Sequence, residues 1–185
     1  MRVICVNTGD KFDQWYTDNL KHMIDTYSGL QYDSFEVIDE EIYGGVYDKL
    51  QMFDLFRDGQ NIYFDLDVLI KGDCNQFLRK ELTACHAWWR EPFHTPLNSS
   101  IISWYGDRSR IFEFFDNDWT GMMRTFYRGI DQYLYEVYRP KTFTESFCSF
   151  QTITKEADYD VYLFNQRYEY MKTTEWCQKY FLQSQ

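Results

Sequence analysis

Asn61 to Asp73 reads NIYFDLDVLIKGD, an apolar run broken by two carboxylates, Asp65 and Asp67, with one leucine between them. Side chains alternate along a strand, so as a strand this run puts both carboxylates on one side, about 7 Å apart. Two like charges at the edge of a low-dielectric core repel, and one of them is pushed towards protonation unless a cation lies between them. Hard divalent ions answer that need: magnesium and manganese take oxygen ligands, and one or two carboxylates hold them while substrate phosphates complete the shell. The pattern points to a metal–diphosphate site; the plain alternative is a solvated strand end.

The surrounding segments indicate how such a pair is positioned. Arg2 to Val6 reads as a first strand, and Asn7-Thr8-Gly9-Asp10 as its exit loop. Helical spacing follows through Phe12, Trp15, Tyr16, Leu20, Met23, Ile24 and Tyr27, with Asp10 as N-cap and Gly29 as stop. Phe35 to Ile38 is a second strand ending in Asp39-Glu40-Glu41, and Gly44-Gly45 precede a second helical pattern over Val46, Leu50, Phe53 and Phe56. The Asp65 to Asp67 stretch is the third strand. Strands alternating with helices predict an α/β fold with a largely parallel sheet and right-handed crossovers. Ligands of such sheets collect beyond the carboxyl ends of the strands, where all three polar clusters fall.

Beyond Gly72-Asp73 comes a short helical piece around Phe77, then Leu82 to Ala87, Trp88-Trp89 and an irregular segment set by Pro92 and Pro96. Asn98-Ser99-Ser100 open an apolar strand, Ile101 to Trp104. Asp107 to Tyr127 reads as two helices with a break, and Gly129 to Tyr138 as another short helix stopped by Pro140. Strands at Phe147 to Ile153 and Val161 to Phe164 and a helical tail from Thr174 to Leu182 complete the chain. This second half reads as a mixed or antiparallel extension of the same sheet, giving a central mixed, mainly parallel sheet in a single domain over residues 1–185.

A net charge of -10 excludes a broad basic surface for nucleic acid. The five cysteines are scattered without metal-ligand spacing, and no run resembles a signal peptide or a membrane span, so a reduced, cytoplasmic setting is expected.

The ordered set KLQMF (Lys49 to Phe53), NIYFDLDVLIKGD, NSSIISW (Asn98 to Trp104) and GIDQYLY (Gly129 to Tyr135) resembles small bacterial and viral glycosyltransferases of GT-A fold, near the glycogenin and lipopolysaccharide galactosyltransferase branch. The resemblance implies a Rossmann-like nucleotide-binding half, a UDP-sugar donor, a manganese or magnesium ion bound through the Asp-x-Asp motif, and a saccharide or other hydroxyl-bearing acceptor. It implies that Asp67 holds the metal and that Asp65 shares it or binds the donor ribose. Val6, Asn7 and Thr8 would line the nucleotide pocket, with Asp39 near base or ribose and Lys49 approaching the diphosphate. Asn98 and Ser99 would touch the donor sugar, and Asp131 with Gln132 would sit at the reacting face.

The resemblance leans towards a retaining hexosyltransferase, in which Asp131 orients hydroxyls; with inversion, Asp131 is the first candidate for the base. Asp131 equally suits an N-cap, Lys49 a surface charge, and Trp88 or Trp89 either core packing or an acceptor platform. One departure stands out: where the family places a metal-binding histidine near its C-terminus, the segment VYLFNQRYEYM has Asn165. Water, the Asn165 amide oxygen or the donor itself then completes the metal shell. Two other classes remain: a nucleotidyltransferase, for which NTGD is a poor phosphate loop, and a non-catalytic sugar-nucleotide or metal-binding module.

Overall fold

The computed structural model describes residues 1–183. Strand β1 (Arg2–Val6), helix α1 (Gln14–Tyr27) and strand β2 (Ser34–Ile38) open the chain. A 3-10 turn over Gly45–Leu50 runs into α2 (Gln51–Leu55), and β3 (Gln60–Phe64) follows. Next come β4 (Val68–Ile70), β5 (Thr83–His86) and the long β6 (Leu97–Tyr105). Helices α3 (Arg110–Asp116), α4 (Trp119–Thr125) and α5 (Ile130–Tyr133) lead to β7 (Lys141–Phe143), β8 (Phe147–Ser149) and β9 (Val161–Leu163).

Six strands form the central sheet in the order β2-β1-β3-β6-β5-β7. β1 is parallel to both β2 and β3, β6 is antiparallel to β3 and to β5, and β7 is parallel to β5. β6 alone is therefore reversed, and the sheet is mixed and mainly parallel, as expected. Alternation along the strands divides the core between the two faces. Val3, Cys5, Ile62, Phe64 and Ile101 pack on one side with α1 residues Leu20, Met23 and Ile24. Ile4, Val6, Tyr63, Ile102 and Trp104 pack on the other with Phe53, Phe115 and Tyr133. Helices thus cover both faces, which is why the inner strands are buried on both sides.

Several expectations change. Asp65 and Asp67 do not lie on a strand: β3 ends at Phe64, Leu66 and Asp67 form a turn, and β4 joins a second sheet of order β4-β9-β8. The apolar run is two short strands in different sheets, and its carboxylates sit at the joint between them. β8 and β9 consequently leave the first sheet instead of extending it. The expected strand at Phe147 to Ile153 stops at Ser149, whose side chain and carbonyl accept the amides of Gln151 (3.2 Å) and Thr152 (3.0 Å). Asn98-Ser99-Ser100 lie inside β6, and the residue capping α1 is Asp13, not Asp10. Gly29, at φ +68°, does end the helix through the left-handed conformation that glycine adopts freely. The C-terminal tail forms a 3-10 turn over Glu175–Tyr180.

Candidate active site

The β3–β4 joint is the centre of a polar cluster. The Asp65 amide donates to the Ser100 carbonyl (2.9 Å), fixing the end of β3 against β6. The Asp65 carboxylate uses one oxygen, Oδ1, for both of its partners, the Lys49 ammonium and the Tyr63 hydroxyl, each at 2.5 Å. Its Oδ2 has no partner among the described residues. Lys49 arrives from the 3-10 turn ahead of α2, lies over the Tyr63 ring at 5.5 Å and reaches Ser99 Oγ at 3.4 Å. Burial works to lower the Lys49 pKa, but the pull of Asp65 and Asp131, the hydrogen bond to Asp65 and the nearby Asp67 outweigh it and raise the pKa. Burial also pushes the Tyr63 hydroxyl well up, with Asp65 adding to the effect, so Tyr63 is a donor here.

Asp67 is the most constrained group. Only 5% of it is exposed, and its carboxylate makes no hydrogen bond or ion pair with another described side chain. Burial, followed by repulsion from Asp65, pushes its pKa up to about 7, against the attraction of Lys11 and Lys49. A buried carboxylate without a bonded cation, beside a second carboxylate with a free oxygen, is a donor set that fits a hard divalent ion. Among the described residues no group of three or more His, Cys, Asp or Glu side chains is arranged around a metal position, so protein carboxylates alone do not complete a shell.

Asn165 is brought to the same cluster. The Phe164 amide donates to the Asp67 carbonyl (2.9 Å), so the turn after β9 is hung directly on the Asp-x-Asp joint. Asn165 has φ +53°, and its Oδ1 accepts from Asn98 Nδ2 (3.0 Å) and Ser100 Oγ (3.4 Å). To ligate a metal, that oxygen would exchange one of these bonds. Asn98 in turn accepts the Ser100 amide at 3.0 Å, so this bond network joins β6 to the β9 exit.

Asp131 is the other anchor. Gly129, at φ +95° with Val46 Cγ2 only 3.1 Å from where a β-carbon would stand, starts α5 and turns its first residues towards β6. One Asp131 oxygen accepts the Ser99 amide (2.9 Å) and the other accepts from Arg90 Nη2 (2.7 Å). Arg90 also donates to the Leu97 carbonyl (2.6 Å), tying the 88–96 segment to β6. Gln132 turns elsewhere: it accepts from the Arg128 amide and donates to Glu136, one turn further along the chain.

The nucleotide-pocket candidates lie at the ends of β1 and β2. Val6 is buried at the last register position of β1, the Asn7 amide donates to the Ile38 carbonyl (2.8 Å), and Asp39 is exposed immediately beyond β2. Asn7 Nδ2 bonds Thr17, while its Oδ1 is buried without a partner, an acceptor suited to a donor from a ligand. Thr8 donates to Asp48, which also accepts the amides of Ile42 (3.0 Å), Tyr43 (2.8 Å) and Gly44 (3.3 Å). Asp48, Arg90 and Tyr63 were not singled out as site residues from sequence, and Ser100 entered only as the last residue of the Asn-Ser-Ser motif. Only Asp48 carried a signal, as a carboxylate inside an apolar helical pattern.

Beyond Arg90 opens a cavity of about 400 Å³ whose walls include Trp88, Phe93, His94, Arg128 and Tyr135. Trp88 is 43% and Phe93 69% exposed, which leaves their rings available.

A mainly parallel sheet with one reversed strand, carrying this acidic and amide cluster beyond β3 and a small second sheet beside it, defines a GT-A type α/β fold. Solved glycosyltransferases share it, among them the following three. One, involved in the glycosylation of the major capsid of PBCV-1, matches with TM-score 0.62 at 11% identity over 92% of this chain and 98% of its own. The galactosyltransferase LgtC, solved with donor and acceptor sugar analogs, gives TM-score 0.62 at 10% identity, covering 89% and 87%. GlyE of Streptococcus pneumoniae TIGR4 gives TM-score 0.61 at 11% identity over 89% of this chain, which spans 55% of GlyE. These identities establish the fold. The sequence matches no family model and no curated protein. No helix among the described residues is long and apolar enough to cross a membrane.

Proposed function

We propose that the protein is a metal-dependent glycosyltransferase that moves a hexosyl group from a UDP-sugar to an acceptor hydroxyl, working in the cytoplasm as one domain. The observation that carries this reading is the buried Asp67 carboxylate with no side-chain partner, set beside Asp65 at the carboxyl edge of a GT-A sheet. Asp67 and the free oxygen of Asp65 would hold manganese or magnesium, with Asn165 or water and the donor diphosphate completing the shell. A divalent ion bound there supplies a Lewis acid that stabilises charge on the departing diphosphate.

The chain's own residues prepare the rest. Val6, Asn7, Thr8 and Asp39 bound the nucleotide pocket, and the orphan Asn7 oxygen offers an acceptor to the base or ribose. Lys49 brings a positive charge to the donor phosphates, while Asn98 and Ser99 present polar groups to the donor sugar. Both Asp131 oxygens are already engaged, by Arg90 and by the Ser99 amide. A base role would require it to shed Arg90, so Asp131 is better suited to orienting hydroxyls, which favours retention; Gln132 would reach the reacting face by leaving Arg128 and Glu136. The cavity beyond Arg90, with Trp88 on its wall, is where a saccharide acceptor would enter.

Thermal unfolding with UDP and manganese, separately and together, tests this reading. Because the two carboxylates leave the shell incomplete, a large shift is expected only with both present. Calcium alone sufficing would favour a non-catalytic binding module, and no shift under any combination would contradict the assignment.

A further inference from the structure

The leaving diphosphate needs more positive charge than Lys49 can offer, because that ammonium is bound to Asp65 at 2.5 Å. Lys172 is committed in the same way, to Asp13 at 2.7 Å. Lys11, in the loop between β1 and α1, is different. Its side chain is exposed and has no carboxylate within ion-pair distance among the described residues. Its position is nonetheless defined: the ammonium lies over the rings of Phe12 (4.5 Å) and Tyr168 (4.7 Å), which pack edge to face with centroids 5.2 Å apart. An exposed lysine ordinarily samples many rotamers, and two aromatic faces reduce that freedom while leaving the N–H donors open to a ligand.

Helix α1, which directly follows the loop that carries Lys11, is bonded to the segment beyond the candidate site. Tyr16 donates to the Tyr168 carbonyl (3.4 Å), and Tyr168 follows the turn at Asn165 that hangs on the Asp67 carbonyl through the Phe164 amide. Lys11 therefore lies where the β1 exit loop, which carries Asn7 and Thr8, meets the segment that follows the Asn165 turn. We propose that the Lys11 ammonium, held by Phe12 and Tyr168 beside the β1 exit, is a diphosphate-binding group of the donor site. The proposal rests on the sugar-nucleotide reading of the site but concerns a residue outside the Asp-x-Asp cluster. Bound diphosphate would accept from the open N–H donors of the ammonium, so charge leaving the sugar is met from the protein as well as from the metal site.

The test is calorimetric titration of the full chain with UDP, uridine and inorganic pyrophosphate, at fixed manganese and two salt concentrations, in the natural protein, Lys11→Met and Lys11→Arg. Lys11→Met is expected to weaken UDP and pyrophosphate roughly tenfold and to leave uridine unchanged. Lys11→Arg should recover most of the loss, and the salt dependence of UDP binding should be shallower in Lys11→Met than in the natural protein. Equal UDP affinity in the natural protein and Lys11→Met, or equal loss of uridine and UDP, would overturn the assignment. Pyrophosphate binding that needs Lys11, in a chain that ignores UDP, would retain the anion site while refuting the donor reading. Binding of neither ligand by the natural protein would refute both.

Discussion

At the scale of single residues, Asp67 connects sequence to chemistry. Its carboxylate is buried beside Asp65, so protonation is favoured in the native state up to about pH 7, against an ordinary value of 3.8. Between those values the folded chain holds more protons than the unfolded one. Stability therefore falls as pH rises through this window, and the loss is complete above the folded pKa. In metal-free buffer, Asp67→Asn should remove this dependence and be more stable than the natural protein at pH 8, by on the order of 2 kcal/mol. Urea unfolding of both proteins from pH 5 to pH 8 measures it, and parallel stability profiles would contradict it. The penalty is the kind of local cost that a functional site retains and that a bound cation would relieve.

At the scale of elements, the site depends on how strand ends are held. Asp48, fully buried, ties the Ile42 to Gly44 backbone to Thr8, and so fixes the exits of β2 and β1 to each other. Asp48→Ala leaves three amides without their acceptor, and a stability loss of about 3 kcal/mol is expected. Hydrogen exchange at 42–44 should accelerate in that variant and stay slow in Asp48→Asn, which keeps an acceptor oxygen. Unchanged exchange in Asp48→Ala would show that other contacts hold the loop. The elements themselves were largely legible: β1, β2, α1, the α3–α4 break and the helix from Gly129 follow from apolar spacing and from Gly and Pro positions. The Asp65 to Asp67 run was misread because a continuous apolar string does not reveal where one sheet hands the chain to another. Val68 to Ile70 is as buried as Ile62 to Phe64, so both halves carry the same composition while pairing with different partners. The three-residue β7 was missed for a related reason, since Lys141 and Thr142 are exposed and leave only Phe143 facing the core.

Across the whole molecule, residues distant in sequence meet at one edge. Lys49, Asp65, Asn98, Ser99, Asp131 and Asn165 are joined by hydrogen bonds and ion pairs, and all were named from residue type or from the resemblance. The partners that hold them, Tyr63, Ser100 and Arg90, were not legible, because their roles come from tertiary neighbours and not from spacing. Arg90 in particular lies in an irregular segment between Trp89 and Pro92, where no periodicity indicates direction. The second sheet matters at this scale too: it brings the β9 exit, and Asn165 with it, across to the Asp-x-Asp joint.

The proposed reaction at this edge is sugar transfer from a nucleotide, with Asp67 holding the metal. Release of UDP from a panel of UDP-sugars, with manganese and with chelator, in the natural protein and in Asp67→Ala, tests it most directly. Manganese-dependent UDP release is expected with at least one donor, reduced at least a hundredfold in Asp67→Ala while the variant remains folded, in keeping with the loss of a principal stabiliser of leaving-group charge. No release from any donor, or undiminished release in Asp67→Ala, would contradict it.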